Sequence, residues 1–267
     1  MDKKALEKAY NLGLKFEKAG QFTEAANAYR KALQIDPEDH GGVAVRLASI
    51  GQGETPKTAS KAYVATLFNQ TAELFDHILV DQLNYDVPLQ LRDALIEQTN
   101  GRIFNRMLDL GCGTGLCADA LDDMSYSKVG VDIAENMIEI AYEKGDYKQL
   151  FVADIVEFVA QKQETWDLIV ATDVLPYMGD ITQFISNVSK RLENDGIFAF
   201  STETLSADEF GTLSFKVGAH QRFAHKDMYI KENLLNNEMN ILKCYDITVR
   251  KEQGETVPGQ LFIAQKN

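Results

Sequence analysis

Five short apolar runs, RMLDL, KVGVDI, QLFVAD, DLIVAT and GIFAFST, succeed one another from about Asn105 at intervals that leave room for a helix between each pair. Strands apolar on both faces need cover on both sides, and a parallel sheet with crossover helices supplies it. The alternation predicts an α/β fold with a doubly wound, mostly parallel sheet. The tail differs in texture. NILKCYDITVRKE and PGQLFIAQK are joined by the short polar segment QGETV, which predicts a terminal antiparallel hairpin.

Ahead of the sheet the chain reads as helical. Between Ala5 and Pro37 two short helices flank a turn, with Leu12, Gly13 and Phe16 on one face of the first and Ala25, Tyr29 and Ala32 on one face of the second. Gly13 and Ala25 let the helices approach closely, and the spacing resembles one tetratricopeptide repeat. No second copy follows, because VAVRLASIGQG supplies one more helix before GQGETP interrupts the pattern. A single repeat cannot bury its own faces, so it is expected to pack on that extra helix, on the following domain or on a second chain. Residues 61–80 and 88–99 read as two further amphipathic helices. The expected organisation is a helical segment over residues 1–55 and an α/β domain over residues 56–267, with cap helices in 61–100 and the sheet in 101–267.

The formal net charge of -13 repels phosphate, so neither nucleic acid nor an anionic membrane surface is an expected partner. The same charge favours a basic or cationic acceptor. Three cysteines, Cys112, Cys117 and Cys244, do not look like a disulfide framework and suit a reducing compartment. The opening MDKKALEKAY lacks the long apolar core of a signal peptide, and no run approaches the roughly 18 apolar residues of a membrane span. A cytoplasmic location is expected.

The stretch LDLGCGTG, residues 108–115, puts three glycines at alternate positions between a strand and LCADALDDM, which can begin a helix. Glycine permits positive φ and lets a ligand lie on bare backbone, while free N–H groups at a helix start favour an anion. A dinucleotide fingerprint needs its third glycine where Leu116 stands, and a P-loop needs Lys and Ser or Thr where Leu116 and Cys117 stand. What remains, Asp-x-Gly-x-Gly-x-Gly from Asp109 through Gly111 and Gly113 to Gly115, with Cys112 as a small residue between glycines, resembles the S-adenosylmethionine loop of class I methyltransferases. A parallel sheet closed by an antiparallel hairpin is the plan of that family. Over almost the whole chain, the single repeat, AYVATLFNQTAELFD, the glycine loop, RFAHKDMYI and VPGQLFIA together resemble the bacterial predicted methyltransferases with an N-terminal tetratricopeptide repeat.

The resemblance implies a Rossmann-like, seven-stranded sheet with S-adenosylmethionine as methyl donor and S-adenosylhomocysteine as product. It implies Asp109 toward the donor's ammonium and sulfonium charges, Asp132 accepting hydrogen bonds from the ribose hydroxyls, and Ile133 beside it in the cofactor site. Asp154, with the backbone at Ile155, then contacts the adenine amino group, and Thr172 and Asp173 lie beside the methionine part. Each acid has an alternative role: Asp109 can cap the turn, Asp132 the helix starting near Glu135, and Asp154 a helix through Val156 and Phe158.

Methyl transfer from a sulfonium is an in-line displacement in a site that excludes water, and a base is needed only where the acceptor must lose a proton. His225 and Asp173 are the candidates for such a group. His225 belongs to TETLSADEFGTLSFKVGAHQRFAHKDMYI, a segment too long for a plain connection and expected to form a lid, which also carries His220 and Arg222. Because His225 precedes a helix with Ile230, Leu234 and Met239, capping or packing is its alternative. Phe68, Phe75 and Tyr85 ahead of the sheet, and Tyr177 after the fourth strand, are candidates for the wall of the site. Aromatic faces suit a sulfonium, although the same spacing also fits a core. No metal is expected, since an iron–sulfur cluster would want three clustered cysteines and Cys244 is remote from the other two. The expected function is methyl transfer to a small-molecule acceptor. Methylation of a protein docked on the N-terminal helices, a non-catalytic donor-binding scaffold, and a homodimer contact through those helices are the alternatives.

Overall fold

The computed structural model describes residues 2–252 and 254–267. Strands β1 (Met107–Leu110), β2 (Lys128–Asp132), β3 (Gln149–Val152), β4 (Trp166–Ala171) and β5 (Leu192–Glu203) run parallel in the order β3-β2-β1-β4-β5. A short hairpin, β6 (Phe215–Val217) with β7 (Phe223–His225), joins the end of β5 through one bridge, Glu203 to Ala224. The terminal hairpin, β8 (Met239–Glu252) and β9 (Glu255–Lys266), closes the sheet, with β9 antiparallel to β5 from Ile197 to Glu203. Gln253, the first residue of the QGETV connection, lies outside the described residues.

Nine strands thus replace the expected seven. The additional pair is part of the long segment after β5, where Phe215, Lys216 and Val217 pair antiparallel with Phe223, Ala224 and His225. Every residue of β1, β2 and β4 is buried, as strands covered on both faces must be, whereas the edge strand β3 is half-exposed. Leu108, Leu110, Ile169, Phe198, Phe200 and Phe262 fill the core on one face of the sheet. Met107, Leu168, Val170, Ile197, Leu261 and Ile263 fill the other, against Leu91 and Leu95.

The first three helices, α1 (Lys3–Lys18), α2 (Phe22–Ile35) and α3 (Val43–Ser49), share a core of Ala9, Ala25, Tyr29, Ala32, Val43 and Leu47. Gly13 is required there, because a Cβ on it would stand 2.3 Å from the Tyr29 ring. Leu12 departs from the sequence reading: it is 42% exposed, and the buried stripe of α1 runs through Ala9 and Gly13 instead. The other face of α3 places Val45 on Val217 and Phe223. The repeat therefore packs both on the extra helix and, through it, on the β6–β7 hairpin.

Residues 61–80 do not form one helix. Helix α4 (Lys61–Thr71) gives way to a 3₁₀ turn, Ala72–Leu74, and then to a π-helical stretch, His77–Gln82. Thr71 turns its hydroxyl back to the Leu67 carbonyl at 3.0 Å just where the α-helix ends. The break presents Phe75 and Asp76 to the glycine loop. Helix α5 (Val87–Thr99) covers one sheet face, and α6 (Leu116–Ala120), α7 (Glu135–Lys144), α8 (Ile155–Gln161) and α9 (Thr182–Arg191) follow β1 to β4. The remaining helices are α10 (Ala207–Phe210), ahead of β6, and α11 (Asp227–Asn236), after β7. Among the described residues no helix is long and apolar enough to cross a membrane.

Candidate active site

One cavity of about 860 Å³ opens above the carboxyl ends of β1, β2 and β4, where open α/β sheets hold their ligands. Its floor is the turn between β1 and α6. Gly111, Gly113 and Gly115 all adopt positive φ, at 74°, 52° and 97°. A Cβ on Gly111 would stand 2.4 Å from Val174, so glycine is needed there for packing. On Gly113 the nearest atom to such a Cβ is in Phe75, 3.8 Å away across the cavity, so here glycine keeps the backbone bare.

The loop spends several of its N–H groups internally, which leaves fewer for an anion than its position predicts. Gly111 and Cys112 donate their N–H groups to the Val131 carbonyl at 2.8 and 3.0 Å, and Gly115 donates to that of Cys112 at 2.9 Å. Gly113 donates to Asp132 Oδ2 at 2.9 Å. These four donors are used internally, and the helix behind them is only five residues long. The turn offers a smooth surface flanked by carboxylates.

Asp132, at the end of β2, lines the cavity. Its Oδ1 accepts from Ala134 N at 2.8 Å, at the entry to α7, so the carboxylate ties the glycine loop to that helix. Each oxygen keeps a lone pair for a ligand hydroxyl. Burial raises its pKa, against the backbone N–H bonds from Ala134, Gly113 and Ile133 that lower it. Asp154 caps α8 by accepting from Glu157 N at 2.9 Å and also faces the cavity, as do Ile133 and Ile155. Asp109 is not on the cavity wall. It is fully buried behind the loop, where Oδ2 accepts from Tyr147 Oη at 2.6 Å, Oδ1 has no partner among the described residues, and burial lifts the carboxyl to about 7. Cys112 is likewise buried, and burial pushes its thiol well above the ordinary range, so it is unreactive.

The far half of the cavity begins after β4. Thr172 and Asp173 both line it, and Asp173 holds the left-handed φ of 55°, rare outside glycine. Ser201 fixes this turn, receiving the Asp173 N–H at 2.8 Å and donating to Asp173 Oδ1 at 2.9 Å. Burial raises the Asp173 carboxyl to about 7, despite the pull of Arg250. Tyr85, Tyr177, Phe68 and Phe75 form the apolar walls, with Phe68 meeting Tyr177 edge-on at 5.2 Å and Phe75 at 5.9 Å. Arg222 lies over the Tyr177 ring at 4.6 Å.

His225 stands apart from these groups. It is fully buried in β7, with Nδ1 against Thr202 Oγ1 at 2.8 Å and Nε2 against the Gly179 carbonyl at 3.2 Å. Both ring nitrogens are engaged, burial drops the pKa to about 4, and the residue does not line the cavity. It is a packing residue that joins β7 to β5, and the role of base does not fit it. His220 also lies off the cavity wall and faces Glu252 at 3.3 Å.

Several residues of the site escaped the sequence reading. Arg250 and Glu252 line the cavity from β8, and the buried pair of Arg250 with Glu203 spans 2.8 Å. Opposite charges two apart in a strand share a face, which is the signal that VRKE carried. Thr114 donates its hydroxyl to Asp76, which also pairs with Lys144 at 2.9 Å, so the cap is clasped to the glycine loop. Tyr147 occupies an irregular connection, and nothing in its sequence neighbourhood announces it.

A family model described as a methyltransferase domain matches residues 71–245, and one for a tetratricopeptide repeat matches residues 9–39. A ubiquinone biosynthesis O-methyltransferase from Bartonella quintana is 32% identical over 100 residues, 36% of this chain and 40% of that enzyme. A malonyl-[acyl-carrier protein] O-methyltransferase from Bacillus anthracis is 35% identical over 101 residues, 36% of this chain and 37% of that enzyme. The matched stretch is thus about two fifths of those relatives' length. Among solved structures, magnesium protoporphyrin IX methyltransferase from Synechocystis with bound S-adenosylmethionine superposes with a TM-score of 0.56 at 18% identity, over 78% of this chain and 97% of that one. An S-adenosylmethionine-dependent methyltransferase from Clostridium acetobutylicum gives 0.55 at 18% identity, over 75% and 99%. These likenesses are of fold alone. With the domain model spanning well over half its length, the chain belongs to the methyltransferase-domain family, on the class I S-adenosylmethionine-dependent fold and with an N-terminal tetratricopeptide repeat.

Proposed function

We propose that this protein transfers the methyl group of S-adenosylmethionine to an oxygen of a small-molecule acceptor, with Asp173 taking the acceptor's proton. The observation that carries this reading is the cavity of about 860 Å³ at the carboxyl ends of the strands. It runs from the glycine loop and Asp132 to the aromatic wall, and its size is that of a small-molecule site, roughly 300–1,000 Å³.

The residues fit the donor. Bare backbone at Gly113 and a carboxylate at Asp132 with lone pairs for two hydroxyls suit the nucleoside end of a cationic donor. When bound, the donor supplies a methyl group from its sulfonium and leaves as the neutral thioether. The chain's own part is to orient the acceptor, exclude water with the Phe68 and Phe75 cap, and hold the proton. As the acceptor oxygen gains its bond to the methyl carbon, its hydrogen passes to an Asp173 oxygen. A carboxyl near 7 is poised for that transfer at neutral pH. The two curated relatives named above are O-methyltransferases, which supports oxygen as the acceptor atom.

The test is methyl-labelled donor incubated with the protein and a size-fractionated cell extract. Label should enter the low-molecular-weight fraction, and Asp173→Asn, which tolerates a positive φ, should slow the transfer by about 10²–10⁴ while still binding S-adenosylhomocysteine. Label confined to protein, or an unchanged rate in the variant, would contradict the proposal.

A further inference from the structure

Most charged groups of the cavity are spoken for. Arg250 pairs with Glu203 at 2.8 Å and Glu252 at 3.2 Å, Lys61 with Glu157 at 2.6 Å and Asp154 at 3.5 Å, and Lys57 with Asp180 at 3.5 Å. Arg222 is different. Its guanidinium carbon lies over Tyr177, 4.6 Å from the ring centroid, and the residue lines the cavity, yet among the described residues it makes neither an ion pair nor a side-chain hydrogen bond. A ring beneath a guanidinium engages its face and none of its N–H donors, which leaves them for a ligand in the cavity. Tyr177 is itself packed edge-on against Phe68.

We infer that Arg222 receives a carboxylate of the methyl acceptor, and that the acceptor is a monoanionic acid with an apolar, preferably aromatic, body. The inference rests on the donor-site reading above and adds the substrate class to it. A planar guanidinium matches a carboxylate through two parallel N–H bonds. One unpaired cation neutralises one charge, and Asp173 on the same wall disfavours a second, so a phosphate dianion suits the site less well. The apolar body follows from Phe68, Tyr85 and Tyr177. This reverses the expectation drawn from the net charge of -13: the surface repels anions in general, while the cavity holds one cation ready for a particular anion.

The experiment is calorimetric titration of the S-adenosylhomocysteine-loaded protein with benzoate, benzamide, benzylamine and phenyl phosphate, on the wild type and on Arg222→Gln and Arg222→Lys. Benzoate should bind in preference to the other three. Arg222→Gln should weaken it by about tenfold or more, Arg222→Lys by less, and both variants should keep the affinity for S-adenosylhomocysteine within about twofold. Absence of benzoate binding, equal binding of benzamide, tighter binding of phenyl phosphate, or an Arg222→Gln variant as good as the wild type overturns the inference. A fall in S-adenosylhomocysteine affinity matching the fall for benzoate would assign Arg222 to the donor's own carboxylate, which also overturns it. A wild type that binds no S-adenosylhomocysteine defeats the donor reading instead; benzoate titrated into the free protein then decides the role of Arg222 by the same criteria.

Discussion

Asp109 and Asp173 are both lifted to about 7 by burial, and their surroundings give them opposite uses. Asp173 opens onto the cavity, whereas Asp109 is sealed behind the glycine turn with one oxygen unpartnered. The folded protein binds the Asp109 proton more tightly than the unfolded chain, where an ordinary Asp carboxyl titrates at 3.8. Its stabilising effect is therefore full below about 4 and is lost as pH rises through about 7. Asp109→Asn keeps the Tyr147 bond and removes that loss, so urea unfolding should show the variant gaining on the wild type between about pH 4 and pH 8, by up to about 4 kcal/mol. A constant difference between the two proteins would contradict this. His225, depressed to about 4, is neutral at neutral pH. His225→Ala should cost about 1–3 kcal/mol by stranding Thr202 and the Gly179 carbonyl, and leave the pH profile of turnover where it was. Altered turnover at unaltered stability would return His225 to the chemistry. The sequence pointed to Asp132, Asp154 and Asp173 because strand ends can be read from apolar runs. It could not show that Asp109 faces Tyr147 or that His225 faces Thr202, since those contacts join elements far apart in the chain.

The five parallel strands and the terminal hairpin were legible because apolar runs of strand length have few other uses in a chain of this size. Two elements were not. The cap, expected as one helix, breaks after Thr71 because Asp76 is held by Thr114 and Lys144, and a tertiary clasp outweighs local helix preference. The segment after β5, expected as a lid, pairs β6 with β7 and hangs on the sheet edge by one bridge. Three-residue strands are too short to show a period. The clasp carries a prediction: Asp76→Ala should free the cap from the glycine loop and speed S-adenosylhomocysteine release by about tenfold, measured by stopped-flow, with little change in association. An unchanged dissociation rate would mean that the cap stays closed without it.

Across the molecule, the repeat and the α/β domain meet at the side proposed for the acceptor. Val45 of α3 rests on Val217 and Phe223, and the turn between β6 and β7 carries Arg222. One tetratricopeptide-like unit cannot form the superhelical groove of a longer array, but it can brace this hairpin. The side proposed for the donor, by contrast, is lined from within the α/β domain and its cap by Gly113, Asp132 and Phe75. Everything proposed for the protein depends on that donor side recognising a cationic nucleoside. Calorimetric titration of the purified protein with S-adenosylhomocysteine and with NAD, on the wild type and on Asp132→Ala, tests this most directly. Binding of S-adenosylhomocysteine alone, weakened by about 1–3 kcal/mol in a variant that remains folded, is the predicted result. Binding of NAD in its place, or an Asp132→Ala variant with full affinity, would contradict it.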